Sequence, residues 1–306
     1  MQNYTSTDFA VLALELLPAV ALGLAGERIS RLVRQWPRAL RIALPALFAL
    51  PYLCISWSHR TFFWPWAALY SAIPVAIAWL LDEAATADPE QRGNWRDAII
   101  LLVLGLAVDL RWLEALWPRG LAGLGKLLLV DAGLYGFVLM RQLTGSGFDF
   151  HFRWRDWKSG LRELAFFAPV VIVLGLALGF LHPHTNAPRP SMILTWVYIF
   201  VFIAVPEELF FRAWVQNLLE KRLSFWLNSG GESRAPRRSR ILALVVTSVL
   251  FGLSHFNKRS TAFNWRYVIL AAIAGIFYGR AWREDRRVPA SAITHTTVDA
   301  IWSWWF

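Results

Sequence analysis

Six ionisable side chains lie within apolar stretches of the last 100 residues, and their types suit acid–base chemistry. They are Glu207, Glu208, Arg212, His255, His295 and Asp299. Carboxylates and imidazoles transfer protons near neutral pH and serve as general acids and bases. An ionisable residue inside a membrane span costs about 2.5–3.5 kcal/mol on insertion scales, so a cluster of them indicates a functional site.

Residues 205–212 place two carboxylates next to each other in the sequence Val-Pro-Glu-Glu-Leu-Phe-Phe-Arg. Adjacent helical residues differ by about 100° around the axis, whereas residues four apart share a face. The spacing therefore predicts an ion pair between Glu208 and Arg212, with Glu207 pointing away from that arginine. A carboxylate kept from such a partner in an apolar cavity is a candidate general base. Pro206 lacks an N–H group and predicts an opening of the helix at the site.

Two further segments carry the histidines. His255 ends the segment Phe-Gly-Leu-Ser-His, and His295 stands four residues before Asp299 in the last apolar block. His295 and Asp299 therefore share a helical face. Of the chain's six histidines, these two lie inside apolar blocks, whereas His182 stands at the very end of one. We expect the three segments to meet in one site.

The elements that position these residues are long apolar blocks. Of the 306 residues, 57% are hydrophobic and 17% are charged, and many of the 18 tryptophans lie near block ends, as in membrane proteins. A span needs about 20 apolar residues. The pattern predicts an all-α, polytopic membrane helix bundle with about 8–10 transmembrane helices. Ten blocks fit: roughly 9–26, 42–57, 61–81, 98–110, 121–140, 164–182, 191–219, 241–256, 265–282 and 288–305.

The net charge of +10 is distributed as in a multi-pass membrane protein. If the ten blocks all cross, 22 of the 31 Lys and Arg residues lie on one side and seven on the other. This asymmetry predicts an integral membrane protein, in the plasma or inner membrane if bacterial, with both termini outside the cytoplasm. The lipid bilayer explains the basic charge, so nucleic acid is rejected as a partner. The lone Cys54 permits no intramolecular disulfide and no cysteine metal cluster.

The remaining ionisable residues in apolar blocks are interpreted as helix–helix contacts or span ends. They are Glu15, Asp109, Lys126 and Asp131. We therefore divide the chain into residues 1–189, transmembrane helices of unassigned role, and residues 190–306, a catalytic membrane core with the three segments.

Together, the three segments resemble the signature of the CAAX protease and bacteriocin-processing family, the glutamic intramembrane endopeptidases that include the Ras-converting CAAX protease. Its motifs are Glu-Glu-x-x-x-Arg, Phe-x-x-x-His and His-x-x-x-Asn or a variant. Here they occur in that order as Glu207-Glu208 with Arg212, Phe251 with His255, and His295 with Asp299. The likeness covers about residues 190–306. It departs at Asp299, where the best-studied members carry Asn.

The resemblance implies an enzyme that hydrolyses peptide bonds without a metal or cofactor. In that scheme Glu207 activates a water, and His255 positions the water or shares its proton. His295, with Asp299, stabilises the oxyanion, while Glu208 and Arg212 support the site. An ionised carboxylate cannot donate to an oxyanion as an amide does, so Asp299 is expected to orient His295 or to act protonated. The implied partner is a protein or peptide substrate, membrane-anchored or not.

Three other functions fit the same residues. Two histidines and a glutamate are a possible ligand set for catalytic zinc, although no H-E-x-x-H helix occurs in the sequence. A non-catalytic scaffold or immunity-type protein would use the cluster only to hold helices together, but has no need to keep Glu207, His255 and His295 together. A proton-coupled transporter also uses buried carboxylates and histidines, but the sequence has no inverted repeat.

Overall fold

The fold was obtained as a computed structural model, and the structure describes residues 4–306 except 115–116, 119, 188, 230–234 and 259–262. Three of the loop arginines counted above, Arg119, Arg234 and Arg259, lie outside the described residues. The described residues form helices and connections without any strand. The prediction of an all-α, polytopic helix bundle is therefore confirmed.

The chain forms two compact units, Met1–Leu143 and Thr144–Phe306. The first contains six α-helices: α1 (Ser6–Arg34), α2 (Arg38–Ala43), α3 (Leu50–Ser58), α4 (Trp64–Ala87), α5 (Trp95–Asp109) and α6 (Leu124–Leu134). A 3-10 segment, Leu44–Ala49, joins α2 to α3, and a π-helical segment, Tyr135–Met140, extends α6. Capping boxes at Thr5 and Asn94 start α1 and α5 by satisfying the first backbone N–H groups.

The first unit buries several ionisable side chains. Arg141 is buried and bonds to the carboxylates of Asp88 and Asp97, at 2.6 and 2.9 Å. Glu15 on α1 and Asp131 on α6 are also buried, and neither oxygen of Glu15 has a hydrogen-bond partner among the described residues.

The second unit contains the other helices: α7 (Trp154–Ala177), α8 (Ser191–Ile199), α9 (Val205–Glu208), α10 (Asn217–Ser229), α11 (Ala235–Leu253), α12 (Trp265–Asp285) and α13 (Val288–Trp305). Helices α8, α9 and α10 form one continuous helix, because π-helical segments at Phe200–Ala204 and Leu209–Gln216 join them. Helix α12 packs against α7, α11 and α13, and α13 also packs against α7 and α8.

Ten helical stretches of the described residues follow the ten predicted apolar blocks. Within these residues, five stretches are long and apolar enough by themselves to cross a membrane. They are Ser6–Arg34, Arg38–Ser58, Trp64–Ala87, Trp154–Ala177 and Ser191–Asn228. The protein is therefore an integral membrane protein.

Candidate active site

The first motif lies where the long helix changes its hydrogen-bonding pattern. Pro206 and the two glutamates belong to α9, a short α-helical segment between two π-helical ones. The expected opening of the helix at Pro206 is wrong, since the chain stays helical on both sides of it. The missing proline N–H is accommodated by a change of register, and π-helical turns of this kind are frequent at functional sites.

Glu208 and Arg212 form the ion pair that their spacing predicts. Arg212 Nε donates to Glu208 Oε2 over 2.9 Å, and both side chains are fully buried. The other oxygen of Glu208 lies 2.8 Å from His295 Nδ1. Because a carboxylate held by an arginine can only accept, His295 Nδ1 carries the proton in this contact. Glu208 thus links the first motif to the third.

The other ring nitrogen of His295 faces two more carboxylates. His295 Nε2 lies 3.9 Å from Glu207 Oε2 and 3.5 Å from Asp299 Oδ2. The imidazole is held by aromatic rings: Tyr278 stacks on it with a centroid separation of 4.6 Å, and Phe251 meets it edge-on at 5.7 Å. The orientation of His295 is therefore set by both a hydrogen bond and packing.

His255 lies just beyond the end of α11 and is fixed through its Nδ1 atom. This atom is 2.8 Å from the carbonyl oxygen of Phe251 and 3.2 Å from Ser254 Oγ. Since a carbonyl only accepts, Nδ1 donates to it, and Nε2 is the nitrogen with a lone pair in the neutral ring. The ring of Phe251 contacts both histidines, because its centroid is also 4.9 Å from that of His255.

Glu207 is less buried than Glu208, with 14% of its side chain exposed. Its Oε1 atom lies 3.9 Å from Lys258 Nζ. Glu207 therefore lies between the ammonium group of Lys258 and the imidazole of His295, and both groups interact electrostatically with its carboxylate.

A cavity of about 100 Å³ opens beside the histidines. The cavity is lined by the imidazoles of His255 and His295 and by the carboxylate of Asp299. Tyr267 and Tyr278 also lie in its wall. The remaining lining is apolar and comes mainly from α7, α12 and α13. Polar groups converging on an apolar pocket are the usual form of a small-ligand or substrate site.

The start of α13, which carries His295 and Asp299, is anchored outside the apolar core by Arg287. Arg287 Nε donates to Asp156 Oδ1 and its Nη1 donates to Asp149 Oδ2, each over 2.7 Å. Partial burial raises the pKa of Asp149, but hydrogen bonds from Arg287 and His151 outweigh this effect and lower the pKa to about 2. This anchor fixes the position from which the third motif begins.

Sequence reasoning missed Tyr278 and Lys258 as neighbours of the site. Tyr278 resembles any buried aromatic residue of α12, and Lys258 was counted only as a loop charge. The sequence also contains no signal that Glu208 would bond to His295. Among the described residues, no three His, Cys, Asp or Glu side chains form a group arranged to hold a metal ion.

One comparison with known proteins gave a match. Residues 188–301 match the family model described as type II CAAX prenyl endopeptidase Rce1-like. Comparisons with curated proteins and with solved structures gave no match. The fold and site define a polytopic helical membrane protein with a polar site buried in its second unit. Over the matched residues, the chain is similar to this family of CAAX prenyl endopeptidases.

Proposed function

We propose that the chain is an intramembrane endopeptidase in which Glu207 activates the hydrolytic water. The observation that carries this proposal is the orientation of His295. With Nδ1 held by Glu208, Nε2 is directed towards Glu207 and towards Asp299, and Asp299 lines the cavity. Residues 190–306 are, in this proposal, the catalytic core, while residues 1–189 have no assigned role.

Glu207 is the best-placed general base of the two glutamates. Glu208 has both oxygens engaged, by Arg212 and His295, whereas the contacts of Glu207 with Lys258 and His295 are longer, at 3.9 Å. Glu207 would take a proton from water as the water oxygen attacks the peptide carbonyl carbon. The proton would then pass to the leaving amine as the C–N bond breaks, so no other reactant is consumed.

His255 would position the attacking water. Its Nδ1–H is committed to the Phe251 carbonyl, so its Nε2 lone pair can accept a hydrogen bond from water. Glu207 and His255 are close enough for their charges to interact. With its two O–H groups donated to Glu207 and His255, the water would direct a lone pair of its oxygen towards the substrate carbonyl carbon.

His295 would stabilise the oxyanion of the tetrahedral intermediate. A doubly protonated His295 donates from Nε2, and the surrounding carboxylates supply its counter-charge. Asp299 would orient this ring through the 3.5 Å contact with Nε2, because an ionised carboxylate cannot donate to an oxyanion. Glu208 and Arg212 would act as positioning residues.

The substrate would be a protein or peptide. The family description supports a chain with a CAAX-type end, and the apolar lining of the cavity supports an apolar segment or hydrocarbon chain next to the scissile bond. The substrate's identity can be sought by trapping with Glu207→Gln, which retains the shape of the glutamate and removes the base.

Peptide release in proteoliposomes tests the proposal. Glu207→Gln should reduce cleavage by about 10²–10⁴-fold, the range for loss of a general base. The exposed Glu27 on α1 offers a matched control, because Glu27→Gln makes the same chemical change outside the site. Wild-type cleavage by Glu207→Gln would show that the base assignment is wrong. Equal release by wild type and His255→Ala would favour a scaffold.

A further inference from the structure

A buried ladder of polar side chains runs from the candidate site along the long helix. Glu208, Arg212, Gln216 and Glu220 follow one another at intervals of four residues. The first three are fully buried, and Glu220 is 6% exposed. Side chains spaced in this way lie along one side of a helix. The ladder extends along the long helix from Glu208 to Glu220.

The far end of the ladder reaches charged groups that contact solvent. Glu220 Oε1 accepts hydrogen bonds from Arg240 and Arg286, at the start of α11 and just after α12. The side chains of these arginines are 57% and 31% exposed. Both belong to the set of loops whose charge predicts a cytoplasmic position. The ladder therefore connects the buried site with the surface.

Several polar atoms along the ladder have no partner among the described residues. They are Nη1 and Nη2 of Arg212, Oε1 of Gln216 and Oε2 of Glu220. Leaving such atoms unpaired is unfavourable, and buried polar groups are normally bonded. The guanidinium atoms are donors, while those of Gln216 and Glu220 are acceptors. Bound water satisfies both kinds, because it donates and accepts.

Gly279 on α12 borders the place where these atoms converge. A Cβ atom at this position would lie 2.7 Å from Gln216 Oε1 and 3.5 Å from Arg212 Nη1. It would also lie 2.4 Å from Cδ1 of Leu244. Any side chain here would therefore press on Leu244 and Gln216, and only glycine lets α12 lie this close to the ladder.

From this arrangement we infer that the ladder binds a chain of water molecules joining Glu208 to the surface beside Glu220. The chain exchanges water and protons between the buried site and the cytoplasmic helix ends. Binding of the water follows from the ladder itself. Its use in supplying the hydrolytic water and equilibrating protons rests on the proposed function.

Hydroxyl-radical footprinting by water radiolysis tests this inference without a substrate. Radicals formed from bound water oxidise adjacent side chains even where bulk solvent is excluded. Leu244 borders the ladder, whereas Leu81 is equally apolar, fully buried and packed against Gly136 in the first unit. In the full chain in nanodiscs, Leu244 should be oxidised several-fold faster than Leu81. Equal rates would overturn the inference.

Two variants sharpen the test. Gly279→Ala and Gln216→Leu should each lower Leu244 oxidation several-fold and leave Leu81 unchanged, because one inserts a methyl group against Gln216 and Arg212 and the other removes an acceptor. The matched control is Gly26→Ala on α1, where a Cβ meets nothing within 4 Å. If Leu244 oxidation is unchanged in Gln216→Leu, the ladder does not bind the water. Should Gly279→Ala fail to fold, the wild-type comparison and Gln216→Leu still decide.

Discussion

Nδ1 of His295 lies 2.8 Å from Oε1 of Glu208, which joins two motifs 87 residues apart. Glu208 also accepts a hydrogen bond from Arg212, so one buried carboxylate binds two donor groups. The contact gives the adjacent glutamates different environments. Glu208 is enclosed and fully engaged, whereas Glu207 lies at the edge of the site with longer contacts.

Glu208→Gln is predicted to destabilise the fold much more than Glu207→Gln. It leaves the buried guanidinium of Arg212 without a counter-charge, and breaking a buried ion pair on one side costs about 3–5 kcal/mol. Denaturant unfolding in detergent micelles, followed by circular dichroism, measures the difference. Equal losses in the two variants would contradict the separate roles assigned to the glutamates.

Tyr278→Phe is predicted to behave nearly as wild type, while Tyr278→Ala loses stability and activity. Phenylalanine retains the ring stacked 4.6 Å from His295, whereas alanine leaves a void beside the imidazole. A buried aromatic residue replaced by alanine costs about 3–5 kcal/mol. Thermal unfolding and peptide release should both separate the two variants. A phenylalanine variant as impaired as the alanine variant would instead implicate the hydroxyl group.

Asp299→Asn is predicted to retain activity within about tenfold of wild type, whereas Asp299→Ala loses about 10–100-fold, which corresponds to the loss of one interaction with a charged group. Asparagine has the same size and keeps an oxygen near His295 Nε2, which lies 3.5 Å from Asp299 Oδ2. Peptide release compares the variants. If Asp299→Asn loses as much activity as Asp299→Ala, the negative charge of the carboxylate itself is required.

Removal of metal is predicted to leave proteolysis intact. The proposed base is a carboxylate, and the described residues include no group of three donors arranged for a metal. Cleavage should be unchanged after prolonged chelation, with elemental analysis of the treated enzyme as the control. Activity that disappears on chelation and returns with zinc would favour the zinc alternative.

Asp149→Asn is predicted to destabilise the protein at neutral pH by about 2 kcal/mol, with a difference that vanishes in acid. The pKa of Asp149 is about 2 in the folded protein, against 3.8 for an unperturbed aspartate. A lowered folded-state pKa contributes stability above the unfolded value and loses it as pH falls towards the folded value. The contribution is therefore complete near pH 6 and declines from about pH 4 to pH 2.

Unfolding of wild type and Asp149→Asn at a series of pH values checks this dependence. The exposed Asp285 provides a control, because Asp285→Asn removes the same charge outside the Arg287 anchor. A stability difference that stays constant between pH 6 and pH 3 would contradict the assignment.

The sequence by itself determined the helical membrane class and the pairing within each motif. Apolar blocks of span length predict helices, because backbone groups in lipid must be bonded internally. Four-residue spacing likewise predicts the Glu208–Arg212 pair and the shared face of His295 and Asp299. These relationships depend only on local helical geometry, and the structure contains both contacts.

Only the tertiary structure decided which motif contacts which. The Glu208–His295 bond, the stacking of Tyr278 and the approach of Lys258 to Glu207 depend on how separate helices pack. The sequence pattern predicted an open helix at Pro206, whereas the structure has π-helical segments before and after the short helix that contains it. Helical periodicity specifies which face a residue occupies, but the rotation and depth of one helix against another follow from the packing of many side chains together.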